Sequence, residues 1–440
     1  MDTPICDFVR RYCDSDTLRL HMPGHKGMGV LGVEQLDITE ISGADSLYEA
    51  EGIIAASEKN AAKLFGCPTF YSTDGSSQCI RAMLHLCLLQ AKRTGRRPLI
   101  AAGRNAHKVL IGAAALLDLD IAWLYPEGES SYLSCPISSE GLDRALSNMP
   151  EKPVAVYVTS PDYLGNLLDI RALAEVAHRH NCLLMVDSAH GAYLKFLPDS
   201  LHPMDLGADL CCASAHKTLP VLTGGAYLHT SPALCDQAKN ALALFGSTSP
   251  SYLILQSLDA ANRVLAEDYK PKLAQMIDMV HATKIRLPGY HFVGQEPCKL
   301  TIDAKAYGYT GKELAEILRQ KGIECEFADP DFLVLMVTPE TGSEGLRRLE
   351  DALGSIPKRD PLTAPPPHYH IPKQAMSIRE AALSPCEIIP VSESIGRVLA
   401  APTVGCPPAV PILVSGEQID AEILERFRYY GMDKCWVVSQ

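Results

Sequence analysis

The sequence predicts an α/β protein with a mostly parallel central sheet flanked by helices. Three short apolar runs, residues 154–159, 183–186 and 209–213, lack polar alternation, which is typical of strands buried on both faces. Between the first two, residues 169–180 place apolar side chains at i, i+3, i+4 and i+7 behind Asp169, a suitable N-cap. This strand, helix and strand form a predicted βαβ unit.

Polar residues follow each of these three strands. The segments are residues 160–163, 187–190 and 214–217, and they include Asp187 and Lys217. Ligands bind outside the carboxyl ends of the strands in an open parallel sheet. We therefore expect the three segments to line one cleft.

The length of 440 residues predicts two or three domains. The proline-rich residues 356–372 are typical of a linker, and a softer boundary follows the helical stretch 259–283. The predicted parts are an N-terminal segment with a large domain (1–285), a small α+β domain (286–357), a linker (358–372) and a C-terminal domain (373–440).

The charge balance and the cysteines exclude several classes of protein. The net charge of -12 disfavours nucleic acid or an anionic membrane as a partner, while small cationic ligands are tolerated better. No apolar run approaches the about 20 residues of a membrane span, and the amino terminus does not look like a secretion signal, so we expect a cytoplasmic protein. The 15 cysteines form no CxxC pair, so buried reduced thiols are expected rather than disulfides or a metal site.

Lys217 and Asp187 are candidate catalytic residues because each ends or directly follows a buried strand. A lysine amine beside apolar walls can lose its proton and form an imine. A buried carboxylate is costly unless it meets a cation such as a protonated pyridine nitrogen. Taken alone, each has an ordinary alternative, a solvated loop lysine or a helix-capping aspartate.

Two further segments could hold parts of a cofactor. Gly75-Ser76-Ser77 precedes an apolar helical run, and a glycine turn at a helix start can bind phosphate, although it can also be only a capping turn. His107 follows the apolar residues 99–102 and could lie flat on an aromatic cofactor or be an ordinary half-buried side chain.

Together these features match what pyridoxal 5′-phosphate (PLP) requires. The chain order is a phosphate-binding turn, a stacking histidine, a strand-end aspartate and then a lysine. The lysine would hold the aldehyde, and the aspartate would keep the pyridine nitrogen protonated so that the ring accepts electrons. The sequence therefore predicts PLP as the cofactor.

These residues lie in motifs that resemble the bacterial ornithine/lysine/arginine decarboxylases of the aspartate aminotransferase fold. The resemblance runs from residue 21 to about residue 420, and the chain looks like the short form without the N-terminal wing domain. The matching motifs are HMPGHKG (21–27), DITEISGADSL (37–47), GSS (75–77), RNAHK (104–108), TSPDYLG (159–165), DSAHG (187–191), SAHKTL (214–219), PPAVP (407–411) and GE (416–417).

The resemblance implies the fold, the reaction and the role of each site residue. The fold would be PLP-dependent transferase fold type I, and the reaction would be decarboxylation of arginine, lysine or ornithine in polyamine metabolism. A homodimer with active sites at the subunit interface, and possibly a larger assembly, is also implied. The site residues would be Lys217 as the Schiff-base lysine, Asp187 on the pyridine nitrogen, His107 stacked on the ring, Gly75, Ser76, Ser77, Ser214 and His216 around the phosphate, His190 lining the pocket, and Glu417 at the far end of the substrate pocket.

Several positions depart from the family pattern and leave the substrate open. Ser188 replaces an acidic residue, Thr223-Gly224-Gly225 replaces a serine or threonine followed by glutamine, and Ser415 replaces a proline. One alternative function is an aminotransferase or β-lyase of the same fold, for which Arg347 or Arg348 could bind the α-carboxylate, although both also fit an exposed helix face. Another alternative is a catalytically silent scaffold.

Overall fold

The structure is a computed structural model that describes residues 1–128, 130–368, 370–402 and 407–439. In this part of the chain the helices are α1 Pro4–Cys13, α2 Ile53–Phe65, α3 Gly75–Thr94, α4 Lys108–Leu117, α5 Ser139–Asn148, α6 Ile170–Arg179, α7 Ala215–Thr218, α8 Ala238–Ala243, α9 Tyr252–Glu267, α10 Tyr269–Arg286, α11 Gly311–Gln320, α12 Gly342–Gly354, α13 Ile378–Leu383 and α14 Ala421–Tyr429.

The strands of the same ranges are β1 Thr69–Ser72, β2 Leu99–Gly103, β3 Asp120–Leu124, β4 Ala155–Thr159, β5 Leu183–Asp187, β6 Leu210–Ala213, β7 Ala226–Thr230, β8 His291–Val293, β9 Lys299–Asp303, β10 Phe327–Ala328, β11 Phe332–Met336, β12 Cys386–Pro390, β13 Leu399–Ala401 and β14 Lys434–Val438.

Contacts divide the chain into two compact units. The first unit contains Met1–Thr94 and Leu183–Lys272, and the second contains Gly95–Cys182 and Leu273–Gln440. This division follows spatial contacts rather than chain order. The predicted domain boundaries therefore stay a prediction.

The first unit contains the strands that carry Asp187 and Lys217. Their order is β1-β7-β6-β5, with β7 antiparallel to both of its neighbours and β6 parallel to β5. In the parallel pair Asp187 lies opposite Cys212. The ends of β5 and β6 therefore present their following loops at one edge of the sheet.

The second unit contains β2 between β3 and β4, with both pairs parallel. Among the described strands, the first seven belong to one mostly parallel sheet. The second unit also has two smaller antiparallel sheets, in the orders β10-β11-β9-β8 and β12-β14-β13.

The elements of the predicted βαβ unit are present almost to the residue. Strands β4, β5 and β6 begin and end within one residue of the three apolar runs. In α6 the predicted apolar face is buried, and the carboxylate of Asp169 accepts a hydrogen bond of 3.0 Å from the amide of Ala172. The predicted linker is exposed over residues 357–366, which contain no helix or strand.

Candidate active site

Lys217 lies in α7, a single helical turn that starts directly after β6. The turn is closed by a hydrogen bond of 3.1 Å from the Lys217 amide to the Ser214 carbonyl. The side chain brings Nζ to 3.0 Å from Nε2 of His190, which follows β5 and is buried. Residues that follow two neighbouring parallel strands thus meet, while the predicted place of residues 160–163 in the same cleft stays a prediction.

Asp187 is the last residue of β5, and its side chain is buried. Its Oδ1 accepts a hydrogen bond of 3.2 Å from the Ala189 amide and one of 3.4 Å from the Cys212 thiol. Burial, reinforced by the Asp187 carboxylate, raises the pKa of Cys212 well above its usual range. The thiol therefore stays protonated and donates to the carboxylate, which holds Asp187 in place.

The Gly75-Ser76-Ser77 turn begins α3, a helix of 20 residues. Gly75 has a φ of 71°, a left-handed conformation that glycine adopts without steric cost. Oγ of Ser76 lies 2.8 Å from Oγ of Ser214, the residue before the turn of Lys217. Two hydroxyls at the start of a long helix give a donor set that suits a phosphate group.

Gly224 and Gly225 connect the Gly75-Ser76-Ser77 turn to α7, the helical turn that carries Lys217. The sequence analysis did not predict this link. The Gly224 carbonyl accepts a hydrogen bond of 2.8 Å from the Gly75 amide. The Gly225 carbonyl accepts from the His216 amide at 3.1 Å and lies 3.0 Å from Nδ1 of His216. Gly224 has a φ of 100°, and a Cβ there would come within 2.8 Å of the Thr73 carbonyl oxygen. The pair of glycines in the sequence was the available signal, because this close approach requires glycine.

His107 belongs to the second unit, where it is the N-cap of α4. Its Nδ1 accepts a hydrogen bond of 3.2 Å from the Val109 amide, and the ring is half-buried. The predicted stacking of this ring on a cofactor stays a prediction.

Glu417 is also in the second unit and forms a buried ion pair with Arg104. Its Oε2 lies 2.9 Å from Nη2 of Arg104 and accepts a hydrogen bond of 2.7 Å from the Val414 amide. Arg104 also donates to the carbonyls of Pro411 and Ile412. Burial raises the pKa of Glu417, and the guanidinium opposes that shift. The structure therefore gives Glu417 a structural role, while its predicted contact with substrate stays a prediction.

Within residues 1–128, 130–368, 370–402 and 407–439, no group of three or more His, Cys, Asp or Glu side chains is arranged to hold a metal ion. None of the helices in these ranges is both long and apolar enough to cross a membrane.

Comparison with known sequences gives a consistent family. The sequence model described as "Orn/Lys/Arg decarboxylase, major domain" matches residues 3–292. The arginine decarboxylase of Bacillus subtilis (strain 168) is 30% identical, over 96% of this chain and 92% of the relative. The arginine decarboxylase of Halalkalibacterium halodurans is 28% identical, over 97% of this chain and 93% of the relative.

Comparison with solved structures supports the predicted fold. The lysine decarboxylase of Francisella novicida aligns with a TM-score of 0.78 at 16% identity, over 99% of this chain and 81% of that chain. The constitutive lysine decarboxylase of Escherichia coli aligns with a TM-score of 0.78 at 17% identity, over 100% and 82%. The predicted fold class is confirmed, as is the prediction of an amino acid decarboxylase with a basic substrate. The chain belongs to the Orn/Lys/Arg decarboxylase family.

Proposed function

We propose that this protein decarboxylates arginine to agmatine and carbon dioxide with PLP as its cofactor. The observation that carries the proposal is the contact of 3.0 Å between Nζ of Lys217 and Nε2 of His190 at the ends of two neighbouring parallel strands. The choice of arginine is supported by relatives named arginine decarboxylase that are 28% to 30% identical over nearly the whole chain.

The residues around Lys217 fit PLP in their chemistry. The hydroxyls of Ser76 and Ser214, 2.8 Å apart at the start of α3, would bind the phosphate together with Ser77 and His216. The left-handed Gly75 lets the chain turn tightly at this point, and a Cβ added there would meet no atom within 4 Å. This open space beside two hydroxyls supports a phosphate at the helix terminus.

The carboxylate of Asp187 is placed to hold a positive charge. It is 2% exposed and is oriented by the Ala189 amide and the Cys212 thiol. The protonated ring nitrogen of PLP would form an ion pair with this buried carboxylate. When bound, PLP supplies an electron sink for the pair released as the α-carboxylate leaves.

Lys217 and His190 would handle the proton of the reaction. Lys217 would hold the cofactor covalently through its amine. Loss of carbon dioxide leaves an electron pair at the α-carbon, which must take up one proton. The hydrogen bond between Lys217 and His190 supports one of these two groups as the donor. The role of His107 on the cofactor ring rests on the sequence resemblance alone.

We further propose a cytoplasmic homodimer. Several large apolar side chains near the N-terminus are exposed, and the exposed fraction of Val30 reaches 99%. Others are Leu18, Leu20, Met28 and Leu31. Exposed apolar surface of this kind is typical of a protein interface, and a second copy would cover it. No disulfide joins the cysteines that the structure describes, which supports a reducing compartment.

An aminotransferase is less well supported by the surroundings of its candidate arginines. Arg347 lies on the exposed face of α12 and forms ion pairs with Glu344 and Asp351. Arg348 donates to the carbonyls of Lys321 and Gly322. The Arg347 guanidinium is therefore engaged within its own helix, and that of Arg348 is engaged at the end of α11.

The test is product identification after incubation of the PLP-loaded protein with arginine, lysine or ornithine. We expect agmatine and carbon dioxide from arginine, and a fall in turnover of at least about a thousandfold in Lys217→Ala, because covalent and proton-transfer roles are both lost. Lys63→Ala, an exposed lysine of α2 in the same unit, is the matched control and should keep full activity. A keto acid product would instead identify an aminotransferase, and full activity of Lys217→Ala would refute the assignment of the lysine.

A further inference from the structure

Gln78 lies in the first turn of α3, directly after the Gly75-Ser76-Ser77 turn, and its side chain is fully buried. Its Oε1 accepts a hydrogen bond of 2.6 Å from the Ser72 hydroxyl. Its Nε2 donates to the Tyr48 hydroxyl and to the Leu242 carbonyl, both at 2.8 Å. The amide thus uses its oxygen and both of its N–H groups within the first unit, and these three hydrogen bonds fix its orientation.

Ser72, the last residue of β1, links the Gln78 amide to the backbone that leads into the turn. Its hydroxyl oxygen accepts a hydrogen bond of 3.1 Å from the Asp74 amide and lies 3.0 Å from the Gly75 carbonyl oxygen. Ser72 itself is fully buried, so water does not compete for these contacts. Gln78 and Ser72 together therefore fix the end of β1 against the start of α3, which are the two ends of the turn.

The backbone of Gly246 packs directly against the same amide. A Cβ added at this position would come closer than van der Waals contact to the Tyr48 hydroxyl and to Nε2 of Gln78. Both groups could keep their places only with glycine at position 246. A side chain introduced there would therefore displace the Gln78 amide while Gln78 itself stays in the sequence.

We propose that Gln78 is a positioning residue for the phosphate group of PLP, because its amide holds the Gly75-Ser76-Ser77 turn in the conformation that binds this group. The inference rests on the cofactor of the proposed function. Amides and hydroxyls at a helix start bind a phosphate only when they point at it, and a turn that is ordered before binding avoids the entropy cost of ordering it. Loss of the Gln78 amide should therefore weaken binding of the phosphate and leave turnover at Lys217 intact once PLP is bound.

Equilibrium dialysis of the full-length protein against PLP, and against pyridoxal, which lacks the phosphate, tests the proposal. We expect Gln78→Met, which keeps the size of the side chain but removes its hydrogen bonds, to weaken PLP binding by about tenfold or more. Its affinity for pyridoxal and its turnover at saturating PLP should both stay within about twofold of the unchanged protein. Gln90→Met makes the same substitution further along α3, at a half-buried position, and should leave both affinities unchanged.

The two ligands separate a positioning role from a general structural one. Unchanged PLP affinity in Gln78→Met overturns the proposal. An equal loss of affinity for PLP and for pyridoxal also overturns it, because the effect would then not act through the phosphate. Failure of the unchanged protein to bind PLP would instead refute the proposed function, and this proposal with it.

Gly246→Ala provides a second test that does not alter Gln78. The added Cβ displaces the amide, so PLP affinity should fall by about threefold or more while pyridoxal affinity stays the same. Gly112→Ala is the matched control, because a Cβ at that position would meet no atom within 4 Å. Circular dichroism establishes that each variant is folded. Unchanged PLP affinity in folded Gly246→Ala contradicts the proposal even where Gln78→Met fails to fold.

Discussion

The carboxylates of Asp187 and Asp329 are both buried, at 2% and 4% exposure, but their surroundings differ. Asp187 accepts hydrogen bonds from the Ala189 amide and the Cys212 thiol, and three residues further along the chain His190 contacts Lys217. Asp329 has one buried oxygen, Oδ2, without a hydrogen-bond partner among the described residues. The first arrangement suits the chemistry proposed at Lys217, whereas a buried acceptor without a donor carries a cost in stability.

Glu417 is a third buried carboxylate. An ion pair offsets the cost of its burial, whereas no ion pair among the described residues does so for Asp329. The Glu417 carboxylate is matched permanently by Arg104, which also bonds to two backbone carbonyls. No ligand is needed to neutralise it. The three carboxylates thus divide into one held by hydrogen bonds at the end of β5, one paired with an arginine, and one with an oxygen that has no donor among the described residues.

The largest effect in this comparison is expected at Asp187. Replacing it by asparagine keeps the shape but removes the negative charge that would stabilise a protonated ring nitrogen. We expect the turnover number to fall about a thousandfold, in the range seen when an electrostatic or proton-transfer group is removed. Steady-state kinetics of the PLP-loaded variant checks this.

Asp199→Asn is the matched control for Asp187, because it makes the same change at an exposed residue of the first unit. Its turnover should equal that of the unchanged protein. If Asp187→Asn turns over as fast as this control, Asp187 has no role in the reaction. The functional contrast between Asp187 and Asp329 would then be lost.

Breaking the pair of Arg104 and Glu417 should cause a large loss of stability. Arg104→Met leaves a buried carboxylate without its cation, and such a change costs about 3 kcal/mol or more in the free energy of unfolding. Urea denaturation monitored by circular dichroism measures it. Arg347→Met, which breaks exposed ion pairs on α12, should cost less than about 1 kcal/mol.

The double variant Arg104→Met with Glu417→Leu sharpens this result. It removes both charges, so most of the stability should return, since apolar replacements of buried ion pairs are often neutral. A single variant as stable as the unchanged protein would show that Glu417 does not need its cation. Glu417 would then resemble Asp329, as a buried carboxylate that does not depend on an ion pair.

Much of the fold was predictable because its signals are local. The uninterrupted apolar runs of β4, β5 and β6 identify strands buried on both faces, and the spacing in α6 identifies its buried side. The positions of Asp187 and Lys217 at strand ends followed directly, because neighbouring parallel strands end at the same edge of a sheet.

The unpredicted features depend on contacts between distant parts of the chain. Arg104 and Glu417 are separated by 313 residues, and Gly224 meets a turn at residue 75. Local propensity and periodicity carry no information on such pairs. The open oxygen of Asp329 was likewise invisible, because it depends on which donors the fold fails to bring to that side chain.

The smallest effect is a gain of stability in Asp329→Asn. Burial raises the pKa of Asp329 from 3.8 to about 6, so its contribution to stability is full below pH 3.8 and is lost as the pH rises through 6. Asparagine has no such loss. We expect Asp329→Asn to be more stable than the unchanged protein at pH 7.5, by about 1 to 3 kcal/mol, and the difference to shrink as the pH falls towards 5.

Thermal denaturation at pH 7.5, 6.5 and 5.5 measures this difference, with Asp360→Asn as the exposed control. A variant that is less stable than the unchanged protein at pH 7.5 would mean that Oδ2 already has a donor. In that case Asp329 would resemble Asp187 and Glu417, and the contrast between fixed and open carboxylates would disappear.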